Sequence, residues 1–368
     1  MPSANSKLHF HAADGTRSVP ATTMRIFVFE FITGGGWYAI DSVNPPAGSL
    51  LAEGRAMADS TVADFLKIPD AKVTTLRDAR LDNIVSDNRV AQPIDSEPQL
   101  WQSLMELAGQ ADHTLLIAPE FDGHLLRTAE AVARFGGNLL SPDPEFIRLC
   151  SNKQATADLL RESSVPSPRG VLLHPGEIPP VEFTFPAVRK PVDGAGSMDV
   201  RLFLSSHDYK EHAPPEAVVR LEEYHPGLAV SVVALCGTAD PVFLPPCSQQ
   251  FSGDGLFRYE GGEAPLEDHL AARAEQLAQR TIAALPKTTG YIGIDMVLGE
   301  AANGGDDVVI EVNPRLTTSY VGLRKLVNEN LAAAILAAAQ CHRVELSIKP
   351  GRVEFSADGA VRFEGSAI

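Results

Sequence analysis

The sequence predicts two architectures in series: an open parallel-sheet α/β domain of Rossmann-like type, then a larger α+β region. Three observations point there. Between residues 24 and 140, strand-length apolar runs alternate with helical stretches, as βαβ units with helices on both faces of a parallel sheet do. After Arg148 that alternation stops, and strands cluster with few helices between them. The 368 residues exceed one average domain and suit two or three.

The first strand is MRIFVFEFI, residues 24–32, a nearly continuous apolar run that breaks at Gly34-Gly35-Gly36, as a buried strand feeding a loop does. A helix over 49–66 puts Leu51, Ala58, Val62 and Phe65 on one face. A strand over 72–77, a polar loop, a helix over 99–109, a strand over 114–119, a helix over 124–135 and a short strand over 138–140 complete this domain. A helix over 151–163 then stops at Val165-Pro166-Ser167-Pro168. Strands are expected over 170–173, 185–191, 200–204, 219–224 and 228–236, then an amphipathic helix over 267–285. Strands over 291–298 and 307–312, a helix over 329–340 and a hairpin turning at Gly359 close the chain. The expected divisions are a disordered leader over 1–23 with Met24 as an alternative start, an N-terminal domain over 24–148, subdomains over 149–225 and 226–342, and a tail over 343–368.

The charge balance, 47 acidic against 31 basic residues for a net −16, argues against a nucleic-acid or anionic-membrane surface. An anionic ligand would have to be met by individual lysines or arginines. Cys150, Cys236, Cys247 and Cys341 form no CxxC pair and lie at no zinc-ligand spacing, so reduced thiols in a cytoplasmic protein are expected. The first 23 residues lack a secretory apolar core, and no apolar run is long enough to span a membrane.

The chemistry concentrates in two late strands, GYIGIDMVL and VVIEVNPR. Alternation puts Glu311 and Asn313 on one strand face, and Asp295 falls among apolar residues on the neighbouring strand. Paired across a hairpin, they would gather two carboxylates and an amide oxygen on a dry surface that needs a cation. An oxygen-only set suits Mg²⁺ bridging nucleotide phosphates, not zinc. The bland alternative is three solvated polar residues on an exposed sheet. Arg315 follows Pro314, either as an ion-pair partner or as a clamp on a transferring phosphoryl group. In FPAVRKPVDGAGSMDV a strand delivers Lys190 into a loop holding Gly194, Gly196 and Ser197. Such a loop lets backbone N–H groups approach phosphates, although a plain hairpin with a solvated lysine fits equally; no Walker motif occurs. Glu222, Glu223 and Tyr224 end a strand at a His-Pro-Gly turn.

In that order, SNKQATADLL with VPSP, AVRKPVDGAGS, EEYHPG, GIDMV and IEVNPR resemble the ATP-grasp superfamily across residues 149–342. The resemblance implies a two-subdomain ATP-grasp fold after the Rossmann-like domain. It implies Lys153 and Lys190 on the ATP phosphates, with Gly194, Gly196 and Ser197 in the phosphate loop. Glu222, Glu223 and Tyr224 fall at the adenine and ribose hinge. Asp295, Glu311 and Asn313 match the Mg²⁺ ligands, with Mn²⁺ as a substitute, and Arg315 the arginine that stabilises an acyl phosphate. One departure stands out: Ala229 occupies the position of the usual ribose-binding acid, leaving Glu222 and Glu223 as candidates.

FEFITGGGW, SLLAEGRAMADSTVADF and LLIAPEFDG, with FLPPCSQQFSGDGLFRYEGGEAP, are similar to the ATP-grasp ligases of the tyramine–L-glutamate ligase type. That similarity implies an ATP-dependent, ADP-forming ligase that joins small-molecule carboxylate and amine substrates, L-glutamate and tyramine or a relative, for a methanofuran-like one-carbon carrier. A homodimer is left open. Trp37 and Tyr38 are offered either as a stacking platform for an aromatic amine or as packing residues. Arg324 and Lys325 are offered either to a substrate carboxylate or to a solvated helix face. Residues 194–196 and 248–262 are candidate lids. The competing expectations are a ligase for other amino-acid substrates and a non-catalytic nucleotide-binding protein.

Overall fold

The computed structural model describes residues 23–82, 89–194, 198–237, 239–340 and 342–365. Its first part comprises β1 (Met24–Glu30), α1 (Gly48–Phe65), β2 (Ala71–Asp78), β3 (Val90–Ile94), α2 (Glu97–Gln110), β4 (His113–Ile117) and α3 (His124–Arg134). The four strands pair in parallel in the order β3-β2-β1-β4. The continuous apolar run of β1 is explained by burial on both faces. Ile26 and Val28 pack with Met57, Val62 and Phe65 of α1, while Phe27 and Phe29 pack with Leu100, Leu104 and Val132 of α2 and α3. The strand order reverses between β1 and β4, so a crevice opens at their carboxyl ends, where open α/β sheets take ligands.

Two expectations change here. The polar loop contains β3, an edge strand whose Gln92 and Pro93 hide the strand signal; proline is tolerated there because one edge lacks a hydrogen-bonding partner. The strand expected over 138–140 shrinks to a single bridge between Thr114 and Leu139.

Helices α4 (Pro144–Cys150) and α5 (Lys153–Glu162) follow. Asn152 caps α5 by accepting from the Ala155 N–H, which fixes where Lys153 enters the helix. A four-stranded antiparallel sheet comes next, from β5 (Gly170–Leu173), β6 (Ala187–Pro191), β7 (Arg201–Phe203), α6 (Ser206–Glu211) and β8 (Val219–Glu223), ordered β5-β8-β6-β7.

The large sheet is built from β9 (Leu228–Cys236), β10 (Val242–Phe243), β11 (Cys247–Phe251), β12 (Tyr259–Ala264), α7 (Asp268–Ala284), β13 (Gly290–Leu298), β14 (Val308–Asn313), α8 (Ser319–Leu326), α9 (Leu331–Ala339), β15 (Gly351–Ser356) and β16 (Val361–Gly365). Its order is β14-β13-β9-β11-β12-β15-β16, with β10 on β9. The closing hairpin thus joins the sheet through β12 and β15, and Gly359 turns it at φ 93°. Residues 248–262 likewise fall largely within the hairpin β11–β12.

α7 covers one face of this sheet. On the other face Val233, Leu323, Ile335 and Phe355 share a core with Ile26 and Val28, so α1, α8 and α9 form one layer between the two sheets. Asp64 of α1 pins that layer: it accepts from Arg324 Nε at 2.6 Å and from the Tyr320 hydroxyl at 3.0 Å. Arg324 is therefore a structural partner, while Lys325 is exposed on the last turn of α8. Burial pushes the Asp64 carboxyl up, but Arg324 and Lys67 outweigh it and hold it below its usual range. That stabilisation is full above the unfolded carboxylate value and is lost as pH falls through the lower folded one. Asp64→Ala strands a buried guanidinium and should cost about 3–5 kcal/mol at neutral pH, measured by urea denaturation.

Candidate active site

β13 and β14 pair so that Asp295 faces Glu311 and Gly293 faces Asn313, with a bulge after Asp295. The three polar residues come together as their alternation predicts. Asn313 donates its amide N–H to Asp295 Oδ2 at 2.8 Å, and Gln249 of β11 donates to Oδ1 at 3.2 Å. Burial, then the Glu311 charge, pushes the Asp295 carboxyl up to about 6, against the pull of Ser231, Asn313 and Arg315. Glu311 goes the other way: burial is outweighed by Lys153 and Lys190, which hold it below the usual carboxylate range.

The lysines arrive from two other elements. Lys153 Nζ lies 2.7 Å from Glu311 Oε2 and donates to the Gly194 carbonyl at 2.7 Å. Burial opposes its charge, but Glu311 outweighs burial and raises it. Lys190, on β6, is buried with Nζ 2.5 Å from Glu222 Oε1 and 3.3 Å from the Ile310 carbonyl. The second Glu222 oxygen accepts from Arg220 Nε at 2.8 Å. Arg220 also donates to Gln154 and to the Pro168 carbonyl. Gly170 makes room, since a Cβ there would sit 2.7 Å from the guanidinium carbon. Glu223 is at the rim, paired with Arg169 at 2.7 Å.

Of these, Lys153, Lys190, Glu222, Glu223, Asp295 and Glu311 line a cleft of about 1010 Å³ between the small and large sheets. Gly194, Tyr224 and Ala229 line it too, and Val188, Met198, Phe257 and Met296 give it an apolar floor. Gly196 and Ser197 lie outside the described residues.

A second chamber, about 640 Å³, adjoins the cleft across Asp295, Glu311, Gln249 and Phe251. Arg315 lines it, with Nε 2.9 and 3.0 Å from the two carboxylate oxygens of Glu120, just beyond β4. Burial disfavours the Arg315 charge, and Glu120 outweighs that and raises it. The ion-pair alternative therefore holds for Nε. Among the described residues Nη2 donates to no protein acceptor, so the group keeps a donor for a ligand. Trp37 and Tyr38 line neither space: both pack on the N-terminal core, and the Arg80 guanidinium sits 3.6 Å over the Tyr38 ring.

Sequence reasoning passed over Glu53, Glu120, Arg220 and Gln249. For Arg220 a signal existed, because opposite charges two apart on one strand share a face. Glu53 and Glu120 carried no local signal; only the packing of the N-terminal sheet brings them to Arg315.

Residues 71–147 match the family model of the pre ATP-grasp 3 domain, and residues 150–319 that of the ATP-grasp domain. The chain belongs to the ATP-grasp superfamily, and its class is that of ATP-dependent ligases forming C–N bonds. Among its relatives, the tyramine–L-glutamate ligase of Methanocaldococcus jannaschii is 23% identical over 304 residues, covering 82% of this chain and 87% of that one. An ATP-grasp superfamily protein from Archaeoglobus fulgidus shares the fold with a TM-score of 0.67 at 22% identity, over 90% of this chain and 92% of the other. The L-amino acid ligase of Bacillus licheniformis gives 0.64 at 15% identity, over 90% and 79%.

Proposed function

We propose that the protein activates L-glutamate as an acyl phosphate and joins it to tyramine or a closely similar amine, for a methanofuran-like one-carbon carrier. The observation that carries the ligase chemistry is the meeting of cleft and chamber at Asp295 and Glu311, with two lysines on one side and Arg315 on the other. The substrate pair rests on the similarity to the M. jannaschii enzyme.

The adenine would lie on the apolar floor beside Tyr224, with Glu223 at the rim as the acid left for the ribose, since Ala229 offers none. Lys153 and Lys190 would turn from their carboxylates to the phosphates. The donor set fits a hard divalent cation: Asp295 and Glu311 are crowded enough to raise one of them, and Asn313 keeps its carbonyl oxygen. Among the described residues no three His, Cys, Asp or Glu side chains cluster to hold a metal, so nucleotide oxygens and water would complete the shell. Mg²⁺, or Mn²⁺ in its place, would be held there by Asp295, Glu311 and Asn313 and would supply charge neutralisation at the phosphates.

In the first step a carboxylate oxygen bonds to the γ-phosphorus as the bond to ADP breaks. Lys190 and Arg315 offset charge at the two ends of the transferring group. In the second the amine nitrogen bonds to the acyl carbon and phosphate leaves. Mass spectrometry of protein with ATP, Mg²⁺, L-glutamate and tyramine should show ADP, phosphate and γ-glutamyltyramine in equal amounts. A product with another amine and none with tyramine would overturn the substrate pair. ADP release without any amide would overturn the ligase.

A further inference from the structure

We propose that Glu53 receives the amine: its carboxylate binds the substrate ammonium and takes a proton from it, while the amine's apolar tail lodges between the ends of β1 and β4. The inference rests on the ligase reading above and assigns the half of the site that nothing in the phosphate machinery explains.

The chamber beside Asp295 and Glu311 adjoins a crevice of about 380 Å³, and the two share Glu53 and Arg315 in their linings. The nucleotide cleft occupies one side of the reacting centre, so the amine must come from the other, where Glu53 stands. The crevice is the one at the reversal of strand order, and Leu50, Met57, Ile117, Ala118 and Pro119 make its walls. Leu50, Glu53, Gly54 and Met57 recur at helical spacing, so one face of α1 presents both the carboxylate and two of the apolar walls. Gly54 holds that face against β1, since a Cβ there would meet Glu30 Oε1 at 2.6 Å.

Elimination singles out Glu53. Asp295 and Glu311 belong to the phosphate side. Glu120 is tied to Arg315. Glu30 accepts from the Ile32 and Thr33 N–H groups at 3.0 and 2.7 Å and from the Thr33 hydroxyl at 2.6 Å. Among the described residues Glu53 makes no ion pair within 4 Å. Burial pushes its carboxyl up to about 7, opposed by Arg315 and the Thr318 hydroxyl, which suits a proton acceptor at neutral pH.

The step balances. The ammonium gives one proton to Glu53, its nitrogen bonds to the acyl carbon, and the bond from that carbon to the bridging oxygen breaks. The nitrogen's second proton leaves with the phosphate. The apolar walls of the crevice, Leu50, Met57, Ile117, Ala118 and Pro119, suit an amine with an apolar tail.

The test uses two nucleophiles. Hydroxylamine is small and uncharged at neutral pH, so it traps the acyl phosphate as a hydroxamate without needing an ammonium site or a base. Glu53→Gln should lower kcat/KM for tyramine by about 100-fold or more, with hydroxamate formation from L-glutamate within a few-fold of wild type and a melting temperature at pH 7 no lower than wild type, since the charge removed is one that burial disfavours. Leu50→Trp, which fills the crevice, should raise KM for tyramine at least tenfold and leave that for methylamine unchanged. Equal amide formation by wild type and Glu53→Gln overturns the assignment and leaves the ligase standing. A parallel loss of amide and hydroxamate overturns it too, by making Glu53 part of activation or of the fold. Wild-type protein that forms no hydroxamate from L-glutamate overturns the proposed substrate, and the assignment with it.

Discussion

Asp295→Asn and Glu311→Ala should each lower amide formation by roughly 10³-fold, while moving stability in opposite directions. The common loss follows from removing an oxygen donor that concentrates positive charge at the phosphates, a contribution of several kcal/mol. The opposite shifts follow from the two environments. Asp295 is raised by burial and by Glu311, so its charge destabilises the folded state at any pH above its unfolded value. Neutralising it should raise the melting temperature in EDTA by ~1–3 °C at pH 7, an advantage that vanishes below about pH 4. Glu311 is held down by Lys153 and Lys190, so its contribution is present above the unfolded carboxylate value and disappears as pH falls through the lower folded one. Glu311→Ala leaves the Lys153 ammonium buried without its partner and should lower the melting temperature. Wild-type turnover by either variant at limiting Mg²⁺ would remove these residues from the site.

Lys190→Met should weaken ATP binding by roughly 10- to 150-fold, the equivalent of about 1.5–3 kcal/mol for a charged hydrogen bond. Lys153→Met should fall in the same range. The two differ in what they leave behind. Lys190 shares Glu222 with Arg220, so its loss leaves that carboxylate still paired. Lys153 is the only lysine within salt-bridge distance of Glu311 among the described residues, so its loss should also lower stability. Calorimetry that finds unchanged ATP affinity in both variants would place the phosphates elsewhere.

Much of the cluster of Asp295, Glu311 and Asn313 was legible because a strand's period of two is simple arithmetic. Glu311 and Asn313 had to share a face, and the acid inside GYIGIDMVL had to fall between buried apolar neighbours. Lys153 and Lys190 gained meaning only from the order of motifs along the chain. The surroundings of Arg315 were not legible at all: Glu53 lies within an ordinary helix, Glu120 follows a strand, and 195 residues separate Glu120 from the arginine it binds. The same limit explains why two pairs stood between alternatives. Trp37 and Tyr38 fall to the packing alternative, and Arg324 to neither of its two, because local sequence cannot show the core that holds the first pair or the Asp64 that binds Arg324. β3 escaped because a polar, proline-containing edge strand has no apolar alternation to detect.

An oxygen-isotope transfer tests the acyl phosphate most directly. With both γ-carboxylate oxygens of L-glutamate labelled as ¹⁸O, one labelled oxygen should appear in inorganic phosphate for each amide formed, and the other should remain in the amide carbonyl. Unlabelled phosphate alongside a normal yield of amide would mean that the carboxylate never bonds to phosphorus, and would contradict the mechanism at its first step.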